Sequence, residues 1–280
     1  MLRSVKDLEG YAVGATDGKI GHVRDFYFDD RAWVVRYLVV DAGAWLTSRK
    51  VLISPIAIGR PAWNERLLHV WLTKEQVKGS PDIDTDKPVS RQHEIAYSSY
   101  YGYPNYWGGG GYWGGGIYPN MMLPDQGGSG SPRPIRLESE NAYTRANIER
   151  SESQGASEDP HLRSCREVMK YDIHATDGDI GHVAGMLVDD ETWAIRYLIV
   201  DTSNWWLGHQ LLIAPQWIES VSWVDSKVSV KMTREAIKAA PAYDPIGKLD
   251  RVEEAMLYEH YGQPGYWSDE VMLETEPSRI

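Results

Sequence analysis

Two histidines, His22 and His182, each follow an Asp-Gly-x-Ile-Gly run, and an imidazole so placed could bind a metal or move a proton near neutral pH. Each stands alone, with no cysteine, histidine or glutamate at ligand spacing, so the pattern favours a structural histidine over a metal ligand. The aspartate pairs Asp29-Asp30 and Asp189-Asp190 carry oxygen ligands that suit a hard cation. Placed between two apolar runs, they read more simply as turn formers. Nucleophilic catalysis finds no Gly-x-Ser-x-Gly elbow, and Cys165 is the only cysteine. The glycines between 108 and 116 lack the lysine and the following helix of a phosphate loop. The expectation is a chain with no catalytic residue, no metal and no cofactor.

Aromatic side chains carry a stronger signal. The chain has 12 Trp and 17 Tyr against 2 Phe, a preference for rings with a polar tip, which suit boundaries that are apolar on one side and wet on the other. Trp33, Trp45, Trp63, Trp193, Trp205, Trp206 and Trp223 are the candidate interaction or interface residues. They are expected to pack under the C-terminal helices or between the two halves of the chain, or else to meet a partner.

The element that positions all of these is a repeat. Ala15-Thr16-Asp17-Gly18-Lys19-Ile20-Gly21-His22-Val23 returns as Ala175-Thr176-Asp177-Gly178-Asp179-Ile180-Gly181-His182-Val183, and the same offset aligns Leu2 to Trp107 with Leu162 to Trp267 without a gap. Of those 106 pairs, 39 are identical, so one domain has been duplicated. Cys165 corresponds to Val5, which points to a packed apolar thiol rather than a disulfide or a nucleophile.

Within a copy, Tyr11 to Thr16 reads as a strand, Asp17-Gly18 (Asp177-Gly178) as a tight structural turn, and Ile20 to Phe28 as a second strand. The β-branched run from Trp33 to Asp41 reads as the central strand, followed by Val51 to Pro55 and Leu67 to Leu72. Many short strands with turn signals between them indicate a small barrel or sandwich. Helices are expected at about 73–79 and 90–101, with equivalents at 233–239 and 250–261, from caps at Thr73, Thr233, Ser90 and Asp250 and from Gly102-x-Pro104 and Gly262-x-Pro264 stops. Arg36 and Asp41, an odd number of residues apart in one strand, should face opposite ways and find different partners, as should Arg196 and Asp201. The fold class is mainly β with short helices: domains at 1–107 and 162–267, a Gly/Tyr/Trp/Ser-rich linker at 108–161 and an acidic tail at 268–280.

Charge narrows the function. Residues 1–107 carry 14 basic and 13 acidic groups, residues 108–161 carry 4 and 7, and residues 162–280 carry 11 and 20, so most of the net charge of −11 lies in the second copy. Neither copy has the basic footprint that nucleic acid requires. The start of the chain has no apolar core of signal-peptide length and no long apolar run follows, which gives the expectation of a cytoplasmic protein without a transmembrane segment.

On Asp17, Gly18, Ile20, Gly21, Arg36, Tyr37, Asp41, Ile53 and Pro55, matched by Asp177, Gly178, Ile180, Gly181, Arg196, Tyr197, Asp201, Ile213 and Pro215, each copy resembles the PRC-barrel domain family. The family is named after the cytoplasmic barrel of the photosynthetic reaction centre H subunit. The resemblance implies two small β-barrels, each followed by capping helices. The ending Arg-x-x-Glu then Tyr-Gly-x-Pro-x-Tyr-Trp looks like that of the stand-alone double-barrel members. The membrane helix of the H subunit and the extra domain of a related ribosome maturation factor have no counterpart in the sequence. The reading is therefore a non-enzymatic binding or assembly module with a protein partner, its two barrels paired within the chain about a pseudo-twofold axis. The alternative is an accessory role like that of the H subunit, peripheral to a membrane complex, with acidic groups influencing electron or proton transfer.

Overall fold

The computed structural model describes residues 1–47, 49–59, 61–81, 89, 91–107, 109–123, 161–202, 209–247 and 249–268. They form two compact units, one of residues Leu8–Ser164 and one that joins Met1–Asp7 to Cys165–Ile280. Both are built mainly of strands. In chain order the first copy contributes β1 (Leu2–Ser4), β2 (Ala12–Ala15), β3 (Gly18–Asp29), β4 (Val34–Asp41), β5 (Lys50–Ile53) and β6 (Leu67–His69). The second contributes β7 (Leu162–Ser164), β8 (Asp172–Ala175), β9 (Gly178–Asp189), β10 (Ile195–Asp201), β11 (Gln210–Ile213), β12 (Ile218–Ser222) and β13 (Lys227–Val230).

In the first unit the order is β5-β4-β3-β2-β6, with β2 and β6 parallel and the other pairs antiparallel. β4 is central as its Val-Val-Arg-Tyr-Leu-Val-Val composition demands: from Val34 to Val40 every residue is buried. β3 is long enough to have two neighbours on one side. Its start pairs with β2 and its last residues, Tyr27 to Asp29, pair with β7, while β4 runs along the other side. Irregular pairing at Val13/Gly14, Val23/Asp25 and Tyr27/Phe28 lets the sheet bend. Among the described residues the end strands β5 and β6 do not pair with each other, so the ladder is an open, barrel-like sheet and not a closed ring. The second unit repeats the plan as β11-β10-β9-β8-β13-β12, with a full β12–β13 hairpin where the first unit has only bridges at Ile58–Val70 and Ala62–Leu67.

Two glycine positions are fixed by geometry. Gly18 and Gly178 turn the hairpin at φ near +140°, in the region L side chains avoid. At Gly21 and Gly181 a Cβ would lie 1.9 and 2.0 Å from the carbonyl oxygens of Asp41 and Asp201, so β3 and β9 approach the following strand more closely than any side chain allows.

The opening strands do not stay with their own copies. β1 pairs with β9, Leu2 opposite Asp189 and Ser4 opposite Leu187, and β7 pairs with β3, Ser164 opposite Tyr27 and Leu162 opposite Asp29. The result is a reciprocal exchange of opening strands between the copies.

Helices follow the sheets. α1 (Val5–Leu8) and α4 (Cys165–Val168) are single turns behind the exchanged strands, and α2 (Lys74–Lys78) and α5 (Arg234–Lys238) are little longer. The Thr73 box closes through Gln76, whereas Thr233 caps the amide of Ala236. α3 (Arg91–Tyr101) and α6 (Arg251–His260) carry the chemistry described below, and Asp250 with Glu253 forms a reciprocal capping box on α6. Ser90, the expected cap of α3, lies outside the described residues, as do 124–160 and 269–280. Residues 109–123, which composition assigns to the linker, are packed instead: Trp113, Ile117 and Met122 are buried, and the turn Pro119–Met122 sits on the turn Pro55–Ala57. Glycine richness hid an apolar set spaced widely enough to fold back.

Candidate buried arginine, glutamate and tyrosine clusters

Each unit buries a glutamate in its interior with arginines and tyrosines around it. α3 places Arg91 and Glu94 one turn apart, and Gly102, at φ +66°, ends the helix so that Tyr106 and Trp107 return along it. Glu94 is fully buried. It accepts a short hydrogen bond from the Tyr106 hydroxyl and pairs with Arg91 at 3.0 Å and His161 at 2.9 Å. Arg36, from the middle of β4, lays its guanidinium 3.8 Å above the Tyr106 ring and 4.8 Å from the Trp113 ring. It also donates to the Tyr112 carbonyl and reaches Asp29 at 3.5 Å. Arg91 covers the Trp107 ring at 4.1 Å. Tyr97 fixes the helix to the sheet, its hydroxyl donating to the Leu52 carbonyl and accepting from the Ser54 amide.

The second unit builds the same cluster. Glu254 on α6 accepts from the hydroxyls of Tyr197 and Tyr266, both at 2.9 Å, and pairs with Arg251 at 3.1 Å. Arg196 stacks 4.0 Å from the Tyr266 ring, and Arg251 lies 4.5 Å over Trp267. Here the turn Pro215–Trp217 is covered by larger side chains: Trp217 packs edge-on against Tyr258 at 5.0 Å and tilted against Tyr261 at 4.7 Å, where the first copy has Ala57, Ser98 and Tyr101.

A buried carboxylate needs donors for its lone pairs and an opposite charge beside it. Glu94 and Glu254 each accept from tyrosine on Oε1 and have Arg91 or Arg251 beside Oε2, and Oε2 of Glu94 accepts no aligned hydrogen bond among the described residues. Burial, followed by the field of the nearby glutamate, pushes the Tyr37 and Tyr106 hydroxyls far above the ordinary tyrosine range. In the second unit Tyr197 and Tyr266 shift the same way, again with burial first. The arrangement pins a helix to a sheet. Each hydroxyl points at the chain's own carboxylate, and the two arginines of each cluster lie against rings.

The residues singled out from sequence lie elsewhere, each with its own neighbours. Asp17 and Asp177 accept the first amides of α2 and α5, from Lys74 at 2.8 Å and Arg234 at 2.7 Å, so the hairpin turn also caps a helix. His22 contacts Lys19 on the surface. Asp29 and Asp189 cap their own turns through the amides of residues 31, 32, 191 and 192. Asp30 and Asp190 bind the arginines of the incoming strands, Arg163 at 3.0 Å and Arg3 at 2.7 Å. Asp41 pairs with Arg24, away from the Arg36 cluster.

Trp33 stacks on Phe28 at 5.1 Å, the Trp45 indole donates to the Ile20 carbonyl, and Trp63 lies against Tyr11. Trp193 is buried and Trp223 lies against Tyr171. Trp205 and Trp206 fall outside the described residues. Trp113, Tyr112 and His161 were missed because they sit in the stretch read as linker, and no repeat partner marks them. Among the described residues, no three His, Cys, Asp or Glu side chains are grouped to hold a metal ion, and no helix is long and apolar enough to cross a membrane.

Residues 2–60 match the PRC-barrel domain. An uncharacterised protein of Deinococcus radiodurans is 35% identical over 81 residues, which are 29% of this chain and 29% of that protein. The chain thus spans less than a third of the length of that relative.

Proposed function

We propose that this chain, which carries a PRC-barrel domain over residues 2–60, is a non-enzymatic binding or assembly module built from two such units. One observation carries the reading. The two deeply buried glutamates, Glu94 and Glu254, are spent with their tyrosines and arginines on one another inside each unit, where they fasten helix to sheet. A general base must hold a lone pair toward a bound reactant, and these carboxylates turn Oε1 toward Tyr106, Tyr197 and Tyr266 and Oε2 toward Arg91 and Arg251 inside the unit. What remains for function is surface. The half-buried rings with polar tips, Trp33, Trp45, Trp63 and Trp223, suit contact with a protein partner, whereas Trp193 lies in the core. A cytoplasmic location fits the single buried cysteine and the charge pattern.

A second reading is favoured by the acidic second copy, which carries 20 acidic against 11 basic groups over residues 162–280: an accessory subunit on a membrane complex, influencing electron or proton transfer. Purification of the tagged chain from its native cells under mild detergent, with quantitative mass spectrometry, separates the two. One soluble protein recovered in stoichiometric amount supports the first reading, and membrane redox subunits support the second. A chain recovered alone at every stage of growth contradicts both.

A further inference from the structure

The last three residues of β3, Tyr27 to Asp29, and of β9, Leu187 to Asp189, have β4 or β10 on one side and an exchanged strand on the other. Tyr27, Phe28 and Asp29 are buried, as are Leu187 and Val188. Without the incoming strand, their backbone groups on that side would be left unpaired against a dry core. Each acceptor recognises its strand by side chain as well as by backbone. The amide of Asp30 donates to the carbonyl of His161 and its carboxylate pairs with Arg163, and Asp190 treats Met1 and Arg3 in the same way. The Ser164 hydroxyl adds a bond to Asp25 at 2.6 Å, and His161 adds its ring to the buried Glu94. β1 and β7 are both Leu-Arg-Ser, so one binding mode serves two sites.

We propose that the edges of β3 and β9 beside the Asp-Asp turns are strand-receptor sites specific for a Leu-Arg-Ser segment, and that the partner of each is the opposite copy's segment. The peptide between residues 123 and 161 is then dispensable for holding the molecule together. Cut there, one fragment keeps β1, which completes the sheet of the second unit, and the other keeps β7, which completes the sheet of the first. Neither can leave without opening a buried sheet edge.

The experiment uses the full chain with a site-specific protease sequence inserted between residues 127 and 131. After cleavage, native mass spectrometry and size-exclusion chromatography at micromolar concentration should find both fragments in one 1:1 particle. Arg3→Asp should raise the dissociation constant of the cleaved particle roughly tenfold or more, the size expected for loss of one charged hydrogen bond. Asp190→Arg should restore part of it, because the two reversed charges meet again while the Met1 ammonium, 2.6 Å from Asp190, loses its partner, whereas Asp30→Arg should restore none. Separation of the wild-type fragments on cleavage overturns the proposal. So does rescue of Arg3→Asp by Asp30→Arg, which would place β1 on its own copy, and so does a particle indifferent to all three substitutions. If Arg3→Asp fails to fold, Arg3→Gln, which keeps a donor and loses the charge, should raise the dissociation constant by a smaller factor, and an unchanged dissociation constant would overturn the proposal.

Discussion

Replacing Glu254 tests whether the buried clusters fasten helix to sheet. Leucine at this position leaves the hydroxyls of Tyr197 and Tyr266, both 2.9 Å from the carboxylate, without their acceptor, and leaves Arg251 without its partner at 3.1 Å. Two buried donors at roughly 1–3 kcal/mol each, partly offset by the apolar side chain, give a loss of about 3–5 kcal/mol, also the range for removing one member of a buried ion pair. Glutamine keeps an oxygen for the tyrosines and loses only the charge, so about 1–2 kcal/mol is expected. Because the chain has two units, a single unfolding midpoint is the wrong readout. Amide hydrogen exchange resolved on peptides from residues 251–260 reports the local opening directly. Leucine should speed exchange there by about two to three orders of magnitude and glutamine by about one, while peptides of the first unit's sheet stay unchanged. Equal exchange in wild type and the leucine variant would refute the fastening argument. Faster exchange across both units at once would show that the effect is not local to the cluster.

Other expectations follow from the same geometry. Burial holds Tyr37, Tyr97, Tyr106 and Tyr197 protonated well above the ordinary range in the folded state, whereas the unfolded chain ionises them near pH ~10. Their contribution is complete below that pH and is lost as pH rises, by up to about 1.4 kcal/mol per pH unit for each tyrosine; urea titrations between pH 8 and 11 should show this alkaline arm, and a flat profile would contradict it. Gly21→Ala puts a Cβ against the Asp41 carbonyl, and Gly181→Ala adds a strained φ of +141°. Each should cost about 2–4 kcal/mol, seen as a lower unfolding temperature of the unit concerned. Trp113→Ala removes a buried ring from Arg36 and should cost about 3–5 kcal/mol. Limited proteolysis would then cut first within residues 109–123, where the wild type resists.

Much of the fold is legible in the sequence because it rests on local rules. The Asp17-Gly18 turn, the Val34 to Val40 run and the Asp250 cap all declare themselves by residue type, and the repeat doubles each signal. The strand exchange is not legible, since β1 and β7 share the same three residues and either acceptor offers the same Asp-Asp turn. The clusters were half visible. The Arg-x-x-Glu and Tyr-Trp pieces stand out as a motif, but their union with Arg36 and Arg196 needs the helix to fold back across the sheet. His161 and Trp113 complete the first cluster from a stretch whose glycine and polar composition reads as unpacked chain.

The central claim is that these clusters are fastenings and not acid–base centres, and the ionisation of their tyrosines tests it most directly. With tyrosine labelled at the ring carbon bearing the hydroxyl, NMR resolves each residue's titration, and Tyr106→Phe and Tyr266→Phe assign the two signals. Burial and the facing glutamates hold both hydroxyls well above the ordinary range, so the account predicts that neither signal moves until the protein unfolds in alkali. A Tyr106 or Tyr266 signal that titrates reversibly below about pH 9, under the ordinary tyrosine value, would contradict it and make the cluster a working acid.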